Sequence, residues 1–181
     1  MIILVTGPPA AGKSIVSEKL AEIIHRPAII SGDEISHFPR GVNSRPWESS
    51  EAENLFWKNV FSLIENFEQA NYSIILDYVI LRKWALEIKK QFPNSEIKYA
   101  ILSAPIRVLL QRDSARPPAI QQESRIPIVH QQFEQDEFYH SFRIRAEELH
   151  LNLKAIAESI LSEDRFYLSP ISPAQFSGDF D

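Results

Sequence analysis

The chain of 181 residues is about the size of one globular domain and too short for two substantial ones. With 44% hydrophobic and 24% charged residues it can bury a real core, and with no cysteine it has no disulfide, thiolate metal site or cysteine nucleophile. A formal net charge of -5 gives no overall positive field for nucleic acid, which favours a small-molecule partner and leaves only a local basic groove open.

Along the chain, apolar β-like runs alternate with segments of helical period, which predicts an α/β fold in a single domain spanning 1–181. The first strand is Ile2 to Thr6, too short an apolar run for a signal peptide or membrane span, so a cytoplasmic protein without a membrane anchor is expected. A helix follows in SIVSEKLAEIIHR, with Val16, Leu20, Ile23 and Ile24 on one face, and Pro27 stops it. AIIS makes a second strand, Gly32-Asp33 turns the chain, and Ser36 to Ser49 reads as loop. Ser50-Glu51-Ala52-Glu53 reads as a capping box for a helix to about Ala70, with Leu55, Phe56, Leu63, Ile64 and Phe67 as its apolar stripe. SIILD ends a third strand at Asp77, Lys83 to Phe92 is a helix, and IKYAILS (97–103) is a fourth strand. Pro105 starts a helix carrying Val108, Leu109, Arg112 and Arg116 until Pro117-Pro118 breaks it. A helix over about Pro127 to Asp136, a short strand at FYHSF and a last helix burying Leu153, Ile156 and Ile160 complete the pattern. The tail after Phe166 reads as loosely packed.

The segment Gly7-Pro8-Pro9-Ala10-Ala11-Gly12-Lys13-Ser14 fits the phosphate-loop pattern in its required setting, between a strand and a helix. Glycines let backbone N–H groups turn toward a phosphate, and Lys13 adds a point charge on the β/γ oxygens. Ser14 places a hydroxyl for Mg²⁺, and the helix N-terminus adds positive potential. The bland alternative, a surface turn that happens to contain Gly-Lys-Ser, does not account for the flanking elements. No Asn-Lys-x-Asp guanine motif occurs and Asp77 lacks the x-x-Gly of a GTPase switch, so ATP is the expected nucleotide.

Asp77 closes an apolar strand, the usual place of a carboxylate that holds Mg²⁺ beside a phosphate loop, although a strand-ending turn aspartate looks the same. Asp33 follows strand two, preceded by Gly32, which would let a substrate come close; it reads as a base, or as the N-cap of a short helix over Glu34-Ile35-Ser36-His37. Arg112 and Arg116, four apart on a helix before a Pro-Pro break, suit transferring phosphoryl oxygens on a flap, or a solvated face paired with Asp113 and Glu123. Arg125 and Arg107 are weaker candidates. His37, Arg40, Arg45 and Trp47 in HFPRGVNSRPWESS could floor an acceptor pocket, with Trp47 equally able to cover the next helix start. No histidine pair has metal-ligand spacing, so no metal beyond Mg²⁺ with the nucleotide is expected.

The phosphate loop, SGDEISH after strand two, RPWES and WKN before and within the long helix, and LDY ending strand three together resemble small bacterial P-loop kinase-like ATP-binding proteins. These are similar to gluconate and shikimate kinases and to chloramphenicol phosphotransferase. The resemblance runs from Met1 to about Phe166 and is densest between Ile30 and Asp77. It implies a three-layer α/β/α P-loop NTPase fold with a five-stranded parallel sheet in order 2-3-1-4-5. It also implies Asp33 as the carboxylate that takes the acceptor proton, and a lid at about 112–126 whose Arg112 and Arg116 fold over ATP. The chain departs from the pattern at Pro8, Pro9, Ala10 and Ala11, where relatives carry more glycine; this predicts a stiffer loop with fewer backbone N–H contacts.

The resulting expectation is an ATP-dependent phosphotransferase that moves the γ-phosphoryl to a hydroxyl of a small molecule. Asp33 acts as base, and Lys13, Arg112 and Arg116 neutralise the transferred group. Ser14 and Asp77 position Mg²⁺, while His37, Arg45, Trp47 and Tyr78 line the acceptor side. Two alternatives remain: a polynucleotide 5′-hydroxyl kinase using a basic groove between the lid and the Arg40 to Arg45 loop, and a non-catalytic ATP-sensing module.

Overall fold

The computed structural model describes residues 1–40 and 44–169. Five parallel strands, β1 (Ile2–Thr6), β2 (Pro27–Ser31), β3 (Ser73–Asp77), β4 (Ile97–Ser103) and β5 (Arg143–Arg145), form one sheet in the order β2-β3-β1-β4-β5. This is the order that the resemblance implied. The apolar runs are continuous rather than alternating because the central strands are covered on both faces.

Two cores lie on the two faces. Ile2 and Leu4 point into one with Phe56, Trp57, Val60 and Ile64 of α3 (Ser50–Gln69) and Ala85 and Ile88 of α4 (Arg82–Gln91). Ile3 and Val5 point into the other with Val16 and Leu20 of α1 (Lys13–Ile23), Leu109 of α5 (Ile106–Ser114) and Ile156, Ala157 and Ile160 of α7 (Leu149–Ser162). Helix α6 (Arg125–Gln135) bridges them, with Ile126 in the second core and Val129 and Phe133 in the first. The result is the expected three-layer α/β/α arrangement.

Several local expectations are corrected. FYHSF is not a strand: Glu137–Phe142 winds into a 3-10 turn, and the fifth strand is the next three residues. Ring packing of Tyr139 and Phe142 against Tyr99, Phe133 and Phe138 decides this, overriding the β propensity of the aromatics. Ser49, one residue before the expected box, caps α3 by accepting from the Ala52 N–H, so Leu55 rotates outward and Trp57 and Val60 take the buried stripe. Ile23, at the end of α1, is likewise exposed. Gly32–Ser36 is the short helix α2 rather than a turn. Helix α5 ends at Ser114, so Arg116 lies beyond it, and Pro118–Ile120 forms a 3-10 turn. Tyr167 and Leu168 still pack, Leu168 donating its N–H to the Ile97 carbonyl and lying buried; the rest of the expected loose tail is outside the described residues.

The loop after β3 is held to β1 by one side chain. Thr6 Oγ1, fully buried, accepts from the Ile80 N–H at 2.7 Å, while the Tyr99 hydroxyl donates to the Ile80 carbonyl at 2.6 Å. Thr6→Val keeps the shape but orphans the Ile80 N–H, at a cost of about 1–3 kcal/mol. A thermal melt should show Tm lowered by roughly 2–4 °C for each kcal/mol lost. An unchanged Tm would mean that the Ile80 N–H finds water instead.

Candidate active site

The carboxyl ends of β1, β3 and β2 are level, with Val5 paired to Asp77 and Asp77 paired to Ser31. The loop from Gly7 to Gly12, Asp77-Tyr78 and Gly32-Asp33 therefore leave the sheet side by side. In the loop, Gly7 (φ 136) and Gly12 (φ 98) take left-handed conformations, and a Cβ on Gly7 would lie 2.3 Å from the Leu102 carbonyl oxygen. Ala10 also holds a positive φ of 62, a strained choice for a residue with a Cβ. Gly12 caps α1, whose first N–H groups have no intrahelical acceptor and converge on the concavity.

A cleft of about 610 Å³ opens above this loop. Pro9, Ala10, Gly12, Lys13 and Ser14 form its floor; Gly7, Pro8 and Ala11 are not on its wall, and Ala11 is wholly buried in the core beneath. Lys13 Nζ donates to the Gly7 carbonyl at 3.2 Å and the Pro8 carbonyl at 3.1 Å, which folds the ammonium over the loop. Burial pulls the Lys13 pKa below the usual lysine value, Asp77 and Asp33 push it back up, and Arg116 and Arg125 lower it further. Asp77 lies buried behind Ser14, whose hydroxyl bonds to it. Burial raises the Asp77 pKa, opposed by the Lys13 charge and the Ser14 hydrogen bond. Ser14 and Asp77 together are two oxygen donors beside a phosphate cradle, a donor set that suits Mg²⁺ held chiefly by nucleotide oxygens. No cluster of three or more histidine, aspartate or glutamate side chains offers another metal site among the described residues.

Asp33 is an exposed residue in the first turn of α2 and does not cap it: Ser31 does, its side chain accepting from the Glu34 N–H at 3.3 Å. Gly32 has a different role from the one expected, because a Cβ there would sit 2.4 Å from the Tyr78 ring. The glycine makes room for Tyr78 rather than for a substrate. Tyr78 is buried against Phe56 and also lines the cleft, and burial raises its pKa well above the tyrosine value.

Arg112 and Arg116 both line the cleft, but they are held differently. Arg112 Nη2 donates to the Ala146 and Glu147 carbonyls, each at 2.7 Å, and Nη1 is buried with no partner among the described residues. Arg116 sits 3.4 Å from Asp113, the partner that the bland reading named, except that Asp113 is buried and also accepts from the Gln122 N–H at 2.8 Å.

A second cleft of about 380 Å³ adjoins the first, with Asp33, Arg116, Gln122 and Arg125 on the walls of both. It gathers three of the four expected acceptor residues, His37, Arg45 and Trp47; Tyr78 faces the nucleotide side. His37 Nδ1 lies 2.5 Å from the Asp33 carbonyl, which makes Nδ1 the donor. Arg45 Nη1 donates to the Ser36 carbonyl at 2.8 Å. Arg125, a weaker candidate by sequence, lies on the walls of both clefts: its guanidinium carbon is 3.8 Å from the Trp47 ring centre and Nη1 donates to Gln122 Oε1 at 3.1 Å. Its position at the start of α6, within the segment 112–126 expected as a lid, was the available signal. At the far end of the first cleft, Ile15, Leu149, His150 and Leu153 make a mainly apolar wall that spacing alone did not reveal.

The fold and the loop define a P-loop nucleotide-binding domain. The chain belongs to the family described as AAA domain (AAA_33), whose profile matches residues 2–138. Solved structures share its fold. A sugar kinase from Janibacter sp. HTCC2649 superimposes with a TM-score of 0.68 at 15% identity, covering 91% of this chain and 95% of that one. A gluconokinase from Sinorhizobium meliloti 1021 gives 0.58 at 18%, covering 89% and 90%. A chain of the Pnkp1/Rnl/Hen1 RNA repair complex gives 0.53 at 14%, covering 99% of this chain and 52% of that one. No curated protein matches the sequence significantly. No helix among the described residues is long and apolar enough to cross a membrane.

Lys13→Met should leave the fold intact and remove the thermal stabilisation by Mg²⁺-ATP, about 2.7 kcal/mol at a concentration near 100 Kd in the parent. An undiminished thermal shift in the variant would disprove the phosphate cradle. The pH dependence follows from Asp77, whose raised pKa means that it gains its proton while an exposed aspartate is still ionised. Mg²⁺-dependent ATP affinity should therefore decline as pH falls, beginning above the ordinary carboxylate range, and Asp77→Asn should flatten that profile. A parallel decline in the asparagine variant would assign the titration to another group.

Proposed function

We propose that the protein is an ATP-dependent phosphotransferase that moves the γ-phosphoryl of ATP to a hydroxyl of a small molecule. The observation that carries this reading is the position of Asp33 on the shared wall of the two clefts, between the phosphate loop and the pocket of His37, Arg45 and Trp47. A module that only sensed ATP would need no carboxylate and no second cleft at that junction. The Arg40 to Arg45 loop of the polynucleotide alternative falls partly on residues 41–43, outside the described residues.

In this reading the polyphosphate lies on the N–H groups of the loop and α1, and Lys13 exchanges its two loop carbonyls for β/γ oxygens. Ser14 and Asp77 would hold Mg²⁺ together with the nucleotide, and the ion would supply charge neutralisation on the phosphate oxygens. Asp33 orients the acceptor hydroxyl and takes its proton. The hydroxyl oxygen forms a bond to the γ-phosphorus as the bond from that phosphorus to the β,γ-bridging oxygen breaks, and ADP leaves with the electron pair. Arg112 and Arg116, both on the wall of the cleft, supply positive charge against that which builds on the moving group.

Asp33→Asn tests the assignment cleanly because Ser31, not Asp33, caps α2. The variant should melt near the parent temperature and bind Mg²⁺-ATP normally, yet transfer to an acceptor roughly 10² to 10⁴ times more slowly. Single-turnover rates at saturating ATP decide the matter, with acceptors drawn from a mass-spectrometric screen of metabolites. Full transfer by the asparagine variant would take Asp33 out of the mechanism.

A further inference from the structure

The second cleft carries more positive charge than its own residues neutralise. Its charged lining is Arg45, Arg116 and Arg125 against the single carboxylate of Asp33. Arg116 has Asp113 at 3.4 Å, but among the described residues neither Arg45 nor Arg125 has a carboxylate within ion-pair distance of its guanidinium. Glu48 is close to Arg45, yet it accepts from the Arg45 backbone N–H at 2.9 Å, while the guanidinium is bonded to the Ser36 carbonyl. The partners of Arg125 are also neutral, the Gln122 amide and the Trp47 ring. Burial accordingly pulls its pKa down, only partly offset by Tyr78 and Asp33.

Two guanidinium groups facing one small cleft, with no carboxylate in ion-pair contact and one Asp33 for three arginines, leave positive charge that an anion would complete, and a planar fork suits a two-oxygen anion. The Trp47 ring, its centre 3.8 Å from the Arg125 guanidinium carbon, takes no hydrogen-bond donor of the fork and leaves those not given to Gln122 for a ligand. Resting on the phosphotransferase reading above, we propose that the acceptor is itself an oxyanion, a small hydroxyl compound whose carboxylate or phosphate is held by Arg45 and Arg125 while its hydroxyl meets Asp33. The anion lies away from Asp33, whose own charge repels it. The cleft of about 380 Å³ sets the size at that of a small metabolite.

The test is calorimetric binding to the protein saturated with Mg²⁺ and the ATP analogue bearing an imido β,γ bridge. The probes are glycerate and gluconate against glyceramide and gluconamide, with glycerol 3-phosphate against glycerol as the phosphate arm. One charged probe at least should bind about 10- to 100-fold more tightly than its neutral partner. Whether the acids or the phosphate show the preference identifies which oxyanion the site takes. Arg45→Gln and Arg125→Gln should each bring that ratio toward one, and Arg125→Lys should restore part of it. Equal affinities within every pair, no binding by any charged probe, or ratios untouched by the glutamine variants would overturn the proposal. Transfer from ATP is measured on the same probes and on 5′-hydroxyl oligonucleotides. Tight binding of charged probes without transfer would remove the phosphotransferase reading and leave the oxyanion site standing. Transfer to neutral partners or oligonucleotides in preference to the charged probes would do the reverse.

Discussion

The parallel register of β1, β3 and β2 is the constraint on which the site depends. Because Val5, Asp77 and Ser31 are level, the phosphate loop, Asp77 and Asp33 emerge at one edge of the sheet with no freedom to slide apart. A shift of one residue would exchange Ile2 and Leu4 with Ile3 and Val5 between two differently shaped, close-packed cores, so side-chain packing rather than a polar-apolar alternation holds the register. Gly7 then approaches the Leu102 carbonyl too closely for any side chain, and Gly12 would meet Leu149 Cδ2 at 2.2 Å if it had a Cβ. The loop is thus clamped between β4 and α7, and phosphate-binding geometry is built into the packing of the domain.

That clamped loop brings together groups that the fold would be more stable without. The folded-state pKa of Lys13 is depressed, so its burial contributes stability only at high pH and loses it as pH falls through the folded value. The folded-state pKa of Asp77 is raised, so its contribution is complete below the unfolded value and is lost as pH rises through the folded one. Near neutral pH both charged forms are disfavoured by burial and supported mainly by each other. Opposed desolvated charges of this kind belong to sites that a ligand completes. The unpaired Arg112 Nη1 and the only partly compensated Arg125 extend the imbalance along the cleft, in the sense that a polyanion reverses.

Much of this was legible in the order of residues. A strand, a phosphate loop and a helix in sequence, with apolar runs ending at Ser31, Asp77 and Ser103, mark strand ends to within a residue because buried parallel strands have no polar face to blur them. The strand order came from family resemblance and not from the residues. What failed was decided by tertiary packing: the aromatic turn at Glu137–Phe142, the one-residue shift of the cap to Ser49, and Gly32, whose missing Cβ serves the Tyr78 ring. Arg125 was undervalued for a similar reason, since its importance lies in the Trp47 ring, 78 positions earlier in the chain. No local spacing rule reaches that far.

The segment joining α5 to α6 ties the two clefts into one unit. Buried Asp113 holds Arg116 and the Gln122 N–H, and the Gln121 amide donates to the Ser114 and Arg116 carbonyls, so residues 113–122 are bonded largely to themselves. Arg112, just before this segment, is fixed to the backbone ahead of α7. Displacing the segment as a whole strains its junctions at Arg112 and Arg125. Of those two, Arg112 holds two carbonyls through charge-assisted bonds, whereas Arg125 holds one side-chain amide and an aromatic face that is itself 44% exposed. The weaker junction is therefore on the side of the second cleft. Because Asp33, Arg116, Gln122 and Arg125 wall both clefts, the placement of this one segment shapes both at once.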